Sequence, residues 1–426
     1  MNRPAVDVVL LSPPFFRVCG SHNDRAPLSL AYLSRYLAEE DVDHVVLNAD
    51  FTGADRYWSM RWMFDNFQPF IDAVDGVSSL YGEVVEQVMS YEPKVVVILG
   101  GEPLIATKDW TNPFIAANYA GHFRALGVHT IGFGHFFTLD TARFADQFDT
   151  ILLGEPSRAI VDAVRRLPAG VVNGLPIDLD VAPLFAHMDP RGTETDFVMT
   201  SFGCRFPCAF CLVQQFYSQL DRRVRYVEAD TVVRDIAARQ TDHIYFTDLT
   251  FTHAPKHRLR ELIDALAAAG VKRTYTIDTR VDCLDDEKVD LLAELGVTRV
   301  KIGVEGITPA LLASVEKRTT PNQIDLAVAR LRSAGMQVLT YLLIGGPASA
   351  EEYEATKTYI RRIAPDFVPV AIWAYEDLQK DYRYDTQFSP WTLANWGIDK
   401  QVFYDYIDLQ QVVNPTVGAM LDIPTP

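Results

Sequence analysis

Phe197-Val-Met-Thr-Ser-Phe-Gly-Cys-Arg-Phe-Pro-Cys-Ala-Phe-Cys211 decides the reading of this chain, because an apolar run opens directly into a loop carrying Cys204, Cys208 and Cys211. Thiolates are soft ligands suited to iron–sulfur clusters or zinc, and three in one short loop can take three corners of a metal centre. A structural zinc wants a fourth ligand. The other cysteines, Cys19 and Cys283, are more than seventy residues away, and no His lies within twenty residues after Cys211. Three thiolates on a [4Fe–4S] cube leave one iron open to a small molecule. A zinc site and a redox thiol cluster stand as alternatives at this point.

The surroundings of that loop repeat a simple alternation. From Asp196 onward, strand candidates fall at Phe197–Phe202, His243–Asp248, Arg273–Asp278, Arg299–Val304, Val338–Ile344 and Phe367–Trp373, with helical patterns between them at Arg258–Ala269, Asp285–Leu295, Asn322–Ala334 and Ala350–Ile363. Six βα units predict a partial parallel barrel with its chemistry on the loops at the strands' carboxyl ends, and the cysteine loop follows the first strand.

The first ~170 residues alternate in the same way. Strands are expected at Val6–Leu11, His44–Leu47, Lys94–Leu99, Val128–Phe133 and Thr150–Leu153, and helices at Leu28–Glu40, Val84–Ser90 and Thr111–Leu126. Continuous runs such as Val95-Val-Val-Ile-Leu99 suit parallel strands covered on both faces. The expected fold class is α/β: a doubly wound Rossmann-like domain over 1–170, a Pro/Gly/Asp-rich linker over 171–195, a partial (β/α)6 barrel over 196–373, and an aromatic-rich extension over 374–426. Four loops at successive strand ends (Ser12-Pro-Pro14 and the glycine-bearing Gly100-Gly-Glu-Pro103, Gly132-Phe-Gly-His-Phe-Phe137 and Gly154-Glu-Pro-Ser157) suggest a binding edge, although tight turns alone would also use glycine. The extension holds Trp373, Trp391 and Trp396 among tyrosines and acids, which suits a lid over an organic substrate or a cap packed on the barrel.

Composition narrows the class. A chain of 426 residues, 48% hydrophobic and 22% charged, is long enough for two or three folded domains. No apolar run approaches the ~20 residues of a membrane span, and the amino terminus lacks secretory-signal regions. Five cysteines with three clustered argue for a reducing, cytoplasmic setting. A net charge of −17 argues against a broad grip on nucleic acid, and the local run Arg222-Arg-Val-Arg225 reads as a solvated face.

With its Cys-x3-Cys-x2-Cys spacing, the chain resembles the cobalamin-binding (class B) radical S-adenosylmethionine (SAM) enzymes over roughly residues 5–373. The resemblance implies that Cys204, Cys208 and Cys211 hold a [4Fe–4S] cluster. It places SAM against Phe210, Asp248 in Ile244-Tyr-Phe-Thr-Asp-Leu-Thr-Phe251, Arg280 in Thr279-Arg-Val-Asp-Cys283, Glu305 in Lys301-Ile-Gly-Val-Glu-Gly306, and Ile344 in Tyr341-Leu-Leu-Ile-Gly-Gly-Pro347. Cobalamin would lie against Ser12, Pro13, Gly100, Gly101, Glu102, Gly134, His135, Phe136, Gly154 and Glu155. Two departures are plain: Gly100-Gly101 is followed by Glu102-Pro103 where the family usually has Pro-His, and Asp248 is the one acid kept of a usual Asp-Asp pair. The Asp-x-His-x-x-Gly ligand motif of classical B12 domains is absent, as is normal in this family.

The resemblance further implies reductive cleavage of SAM to a 5′-deoxyadenosyl radical, with Phe202, Phe206 and Phe210 shielding the cube. The expected activity is methylation of an unactivated carbon in a small-molecule or peptide intermediate of specialised metabolism. An external low-potential electron donor would be needed. A non-methylating ring contraction, cyclisation or epimerisation is the alternative, and a zinc-stabilised interaction protein is a third. Cys19 and Cys283 are expected to be structural thiols.

Overall fold

The computed structural model describes residues 4–21, 23–52, 65–105, 111–191, 195–220, 223–344, 350–368, 370–372, 378, 380–386, 389–395 and 397–413. Arg222, Gly345-Gly-Pro347, Trp373 and Trp396, singled out above, lie outside them.

Two parallel sheets organise the chain. The first contains β1 (Val8–Ser12), β2 (His44–Asn48), β3 (Val95–Leu99), β4 (His129–Phe133), β5 (Thr150–Leu153), β6 (Gly170–Asn173) and β7 (Met188–Asp189), in the order β6-β5-β4-β3-β1-β2-β7. The order reverses at β1 and β3, which is where a doubly wound sheet opens a crevice at its carboxyl edge. Alternation explains the two-sided burial: Val9, Leu11, Val96 and Ile98 join one apolar cluster, whereas Val8, Leu10, Val95 and Val97 join the cluster on the other face. Every residue of β1 and of β3 is buried, so a polar substitution on either face meets packed side chains.

The passage expected to be a linker is woven into this sheet. β6 pairs with β5 and β7 with β2, so the chain supplies both edges before it leaves for the second sheet. Strands of four and two residues are too short to show a period against their Pro- and Asp-rich flanks.

The second sheet runs β15-β14-β13-β12-β11-β8, all parallel, from β8 (Phe197–Val198), β11 (His243–Phe246), β12 (Thr274–Arg280), β13 (Val297–Glu305), β14 (Gln337–Ile344) and β15 (Val370–Ile372). The expected strand over Phe197–Phe202 breaks in two: β8 stays in the sheet, and β9 (Ser201–Phe202) pairs antiparallel with β10 (Arg225–Tyr226). Local signals set the helices around it. Thr320 and Gln323 form a capping box ahead of the helix Pro321–Ser333, and Asp285 caps Asp286–Leu295, which Gly296 ends at φ +96°.

The described part of the extension packs on both halves. Leu393, Phe403 and Leu409 enter the barrel's apolar core. Tyr382 stacks on Phe136 (ring centroids 5.9 Å), donates to Asp140 at 3.1 Å, and shares a buried cluster with Leu212. Tyr382 is therefore a bridge between the loop after β4 and the helix following the cysteines.

Candidate active site

The cysteine loop begins where β8 ends. Thr200 donates its backbone N–H (3.1 Å) and hydroxyl (2.8 Å) to Asp248, which also accepts from the Ser201 hydroxyl. Asp248 is wholly buried, and desolvation pushes its carboxyl up to about 6 against the pull of those hydrogen bonds. Gly203 then turns at φ +94°, and a Cβ there would come within 2.5 Å of the Arg223 carbonyl, so only glycine lets the loop pass β10. The loop ends by feeding the helix Leu212–Gln219, with Cys211 as its N-cap residue. Midway, Ala209 N–H donates to the Val315 carbonyl (3.2 Å).

Three thiols are thus carried on a loop fixed at both ends and in the middle. Cys208 is buried, while Cys204 and Cys211 are partly exposed. Burial pushes the Cys204 and Cys208 thiols up; for Cys208, Lys317 and Arg280 pull the other way. Arg280 donates to the Cys208 sulfur at 3.2 Å, to both Asp282 oxygens at 2.9 Å and to the Lys317 carbonyl, with its guanidinium 4.2 Å from the Phe206 ring centroid. Lys317 closes a buried ion pair with Glu305 (2.8 Å) and lies 5.7 Å from the Phe210 ring centroid. Glu305 is a non-glycine residue at φ +63°, and Glu316 and Arg318 around Lys317 are also left-handed, a concentration of backbone strain typical of working sites.

This donor set fits an anionic cluster. A cube bound by thiolates carries negative charge, and two buried cations, Arg280 and Lys317, lie beside Cys208. A zinc ion would draw its sulfurs to ~2.3 Å, whereas a cube takes each thiolate on a separate iron.

The carboxyl edge of the first sheet is built differently. Gly100, Gly101 and Gly134 bring two loops into contact: Cβ atoms there would come within 2.4 Å of Phe137, 2.5 Å of His135 and 2.5 Å of the Gly101 carbonyl. Two buried acids hold the backbone. Asp50 accepts from Phe15 N–H (2.7 Å), Arg17 N–H (2.8 Å) and Asn23 (2.8 Å). Glu102 accepts from the Ser29 N–H (3.1 Å) and hydroxyl (2.9 Å) and from Leu104 N–H (3.2 Å), pinning the first turn of the helix Leu28–Glu39. Desolvation pushes Asp50 up to about 6 and Glu102 to about 7.

Of the residues expected around SAM, the structure gathers Phe210, Arg280 and Glu305 about the cysteines, while Asp248 takes loop residues as partners and is closed off beneath them. Ile344 ends β14, its side chain outside the described set. Ser12, Pro13, Gly100, Gly101, Gly134, His135, Phe136 and Gly154 sit at the carboxyl edge of the first sheet. Glu102 and Glu155 are there too, but both are buried and engaged: Glu155 pairs with Arg225 and accepts from Ile177 N–H (3.1 Å). Arg225 is accordingly an inward residue, not part of a solvated basic face. Cys19 is buried, and Cys283 is raised to about 11 by desolvation. Sequence reading missed Asp50 and Lys317. Lys317 follows a short helix with no local motif, and its signal is the strained turn that only coordinates reveal.

The sequence profile of the Radical SAM superfamily matches residues 198–360. An uncharacterised methyltransferase of Pyrococcus horikoshii is 25% identical over 386 residues, spanning 86% of this chain and 80% of its own length. Among solved structures, the radical SAM methyltransferase TsrM from Kitasatospora setae, with cobalamin and a [4Fe–4S] cluster bound, superposes with a TM-score of 0.64 at 18% identity, over 86% of this chain and 75% of that one. The cobalamin-dependent SAM radical enzyme OxsB superposes with a TM-score of 0.61 at 14% identity, over 94% of this chain; the match spans 56% of OxsB. Both share the two-sheet fold.

Proposed function

We propose that this chain, a radical SAM enzyme, is a cobalamin-dependent methyltransferase that methylates an unactivated carbon of a small-molecule or peptide intermediate in specialised metabolism. The observation that carries the reading is the loop of three thiols at the carboxyl edge of the second sheet, faced by Arg280 and Lys317. In this reading Cys204, Cys208 and Cys211 hold a [4Fe–4S] cluster, residues 1–170 hold cobalamin along their carboxyl edge, and residues 196–373 form the catalytic barrel. When bound, the cluster supplies the electron that splits SAM into a 5′-deoxyadenosyl radical, and cobalamin supplies a methyl carrier.

The chain's own residues position and insulate. Asp248 fixes the start of the cysteine loop through Thr200 and Ser201. Arg280 donates to one cluster thiolate, the kind of hydrogen bond that tunes a cluster's potential. Lys317 holds the Glu305 carboxylate where the ribose or methionyl group of SAM would reach it, and Phe206 and Phe210 flank the thiols, where they would shield a bound cube. No protein acid–base pair is required. A net charge of −17 favours a small-molecule or peptide substrate over nucleic acid, and the electron comes from an external low-potential donor.

Anaerobic purification with hydroxocobalamin tests this directly. Iron near four per chain, bound corrinoid, and both 5′-deoxyadenosine and S-adenosylhomocysteine among the products are expected. 5′-Deoxyadenosine without S-adenosylhomocysteine would favour the non-methylating reading. Retention of iron and SAM cleavage after Cys204, Cys208 and Cys211 are all replaced by alanine would overturn both.

A further inference from the structure

One layer below Arg280 and Glu305, the barrel holds a second polar cluster that none of this chemistry uses. Asp278 on β12 and Lys301 on β13 are direct register partners. They lie two residues before Arg280 and Gly303, about 6.6 Å down the strands. Tyr245 on β11 and Tyr341 on β14 flank them. All four lie deep in the protein, yet each keeps some accessible surface. Their neighbours Ile244, Ile277, Val300 and Leu342, one residue away, point to the opposite, fully apolar face.

The charges in this cluster are not closed on each other. Asp278 accepts the Tyr245 hydroxyl on one oxygen, and its other oxygen is buried with no hydrogen-bond partner. The Lys301 ammonium lies 3.9 Å from the Tyr245 ring centroid, and among the described residues no carboxylate reaches it at ion-pair distance. A carboxylate and an ammonium on adjacent strands would ordinarily pair directly. A buried carboxylate oxygen left without a partner is an exception that, in a folded protein, calls for a reason. Gly303 lies between Lys301 and Glu305 on the same face, where a Cβ would come within 2.4 Å of the Lys317 ammonium. The two layers are therefore separated by no side chain of β13.

We propose that Asp278 and Lys301 form a cradle for the zwitterionic head of an α-amino acid, Asp278 taking the ammonium and Lys301 the carboxylate. This rests on the reading of the chain as a radical SAM enzyme, since the cradle lies on the same two strands as Arg280 and Glu305, toward their amino ends. Two sources share that head group: a separate amino-acid substrate and SAM itself. A separate substrate fits better, because SAM's own head belongs on the open iron.

Equilibrium dialysis on anaerobically prepared holoenzyme tests the cradle, using the twenty standard α-amino acids and SAM as probes. Each binder is compared with its des-amino and decarboxylated forms. Asp278→Asn should weaken the amino acid about ten- to a hundredfold while leaving its des-amino form unaffected. Lys301→Met should do the same with the decarboxylated form spared. A charge-matched pattern on a standard amino acid supports the cradle and gives a separate substrate; the same pattern on SAM supports the cradle and gives SAM as its occupant. Losses that ignore which group the probe carries, or no binding that depends on either residue, overturn it. Iron and corrinoid content of the same preparations report independently on the family-level reading, so failure of one is not mistaken for failure of the other.

Discussion

The two carboxyl edges of this molecule solve the same problem with different chemistry. On the first sheet, loops are fixed by shape: Gly100, Gly101 and Gly134 let two strand-end loops interlock, and Asp50 and Glu102 bind backbone N–H groups. On the second sheet the loop is fixed by one acid, Asp248, and three further buried charges, Arg280, Lys317 and Glu305, lie about the thiols. The first edge has its buried charges facing the fold, and the second has them facing the thiols. A flat macrocycle needs a closely fitted backbone surface, whereas an anionic cube and a sulfonium need opposing charge.

The most forceful way to break this contrast is a methyl group on the first edge. Gly134 has φ +136°, and a Cβ there would come within 2.5 Å of the Gly101 carbonyl. Gly134→Ala should cost about 3 kcal/mol and strip corrinoid from the protein while iron stays bound, read by thermal unfolding with metal and corrinoid analysis. The mirror experiment is Asp248→Asn, which weakens three hydrogen bonds under the cysteine loop. A loss of about 1–3 kcal/mol in denaturant unfolding is expected, with iron falling and corrinoid retained. Equal loss of both cofactors in either variant would erase the distinction.

A gentler test uses pH. Glu102 is raised by desolvation from its model-peptide range to about 7, so the folded protein binds a proton there that the unfolded chain releases near 4.5. Stability from this group is full below about 4.5 and is lost as pH rises through 7. Glu102→Gln keeps an acceptor for Ser29 and should flatten the fall in stability between pH 5 and 8, by about 1–2 kcal/mol across that window. An unchanged slope would move the titrating group elsewhere. The smallest effect belongs far from both edges: Arg260 and Glu294 pair on exposed helix surfaces, and Arg260→Ala should change stability by less than about 0.5 kcal/mol in the same unfolding assay.

What could be read before the coordinates follows physical lines. β1, β3 and β5 were legible because continuous Val, Ile and Leu have few other uses in a protein of this composition. The cysteine loop was legible because its chemistry is spelled by local spacing. Longer-range features were not. Phe197–Phe202 looks like one strand, and only Asp248, forty-eight residues from Thr200, explains why the chain leaves the sheet between Val198 and Ser201. Lys317 and Asp278 depend on neighbours from other strands, and register is invisible in a single sequence. Glu102 carries a binding-loop position yet faces inward, because the amino end of a helix offers it more than a solvent edge does.

Glu155 and Arg225 are a joint as well as an ion pair. One belongs to the first sheet's last functional loop and the other to the hairpin beside the cysteines, and Glu155 is 3% exposed. Swinging the halves apart would break this buried pair and leave Arg225 without its carboxylate, a penalty of several kcal/mol. The two halves should therefore move as one piece at this point, and traffic to the thiols has to travel by another door.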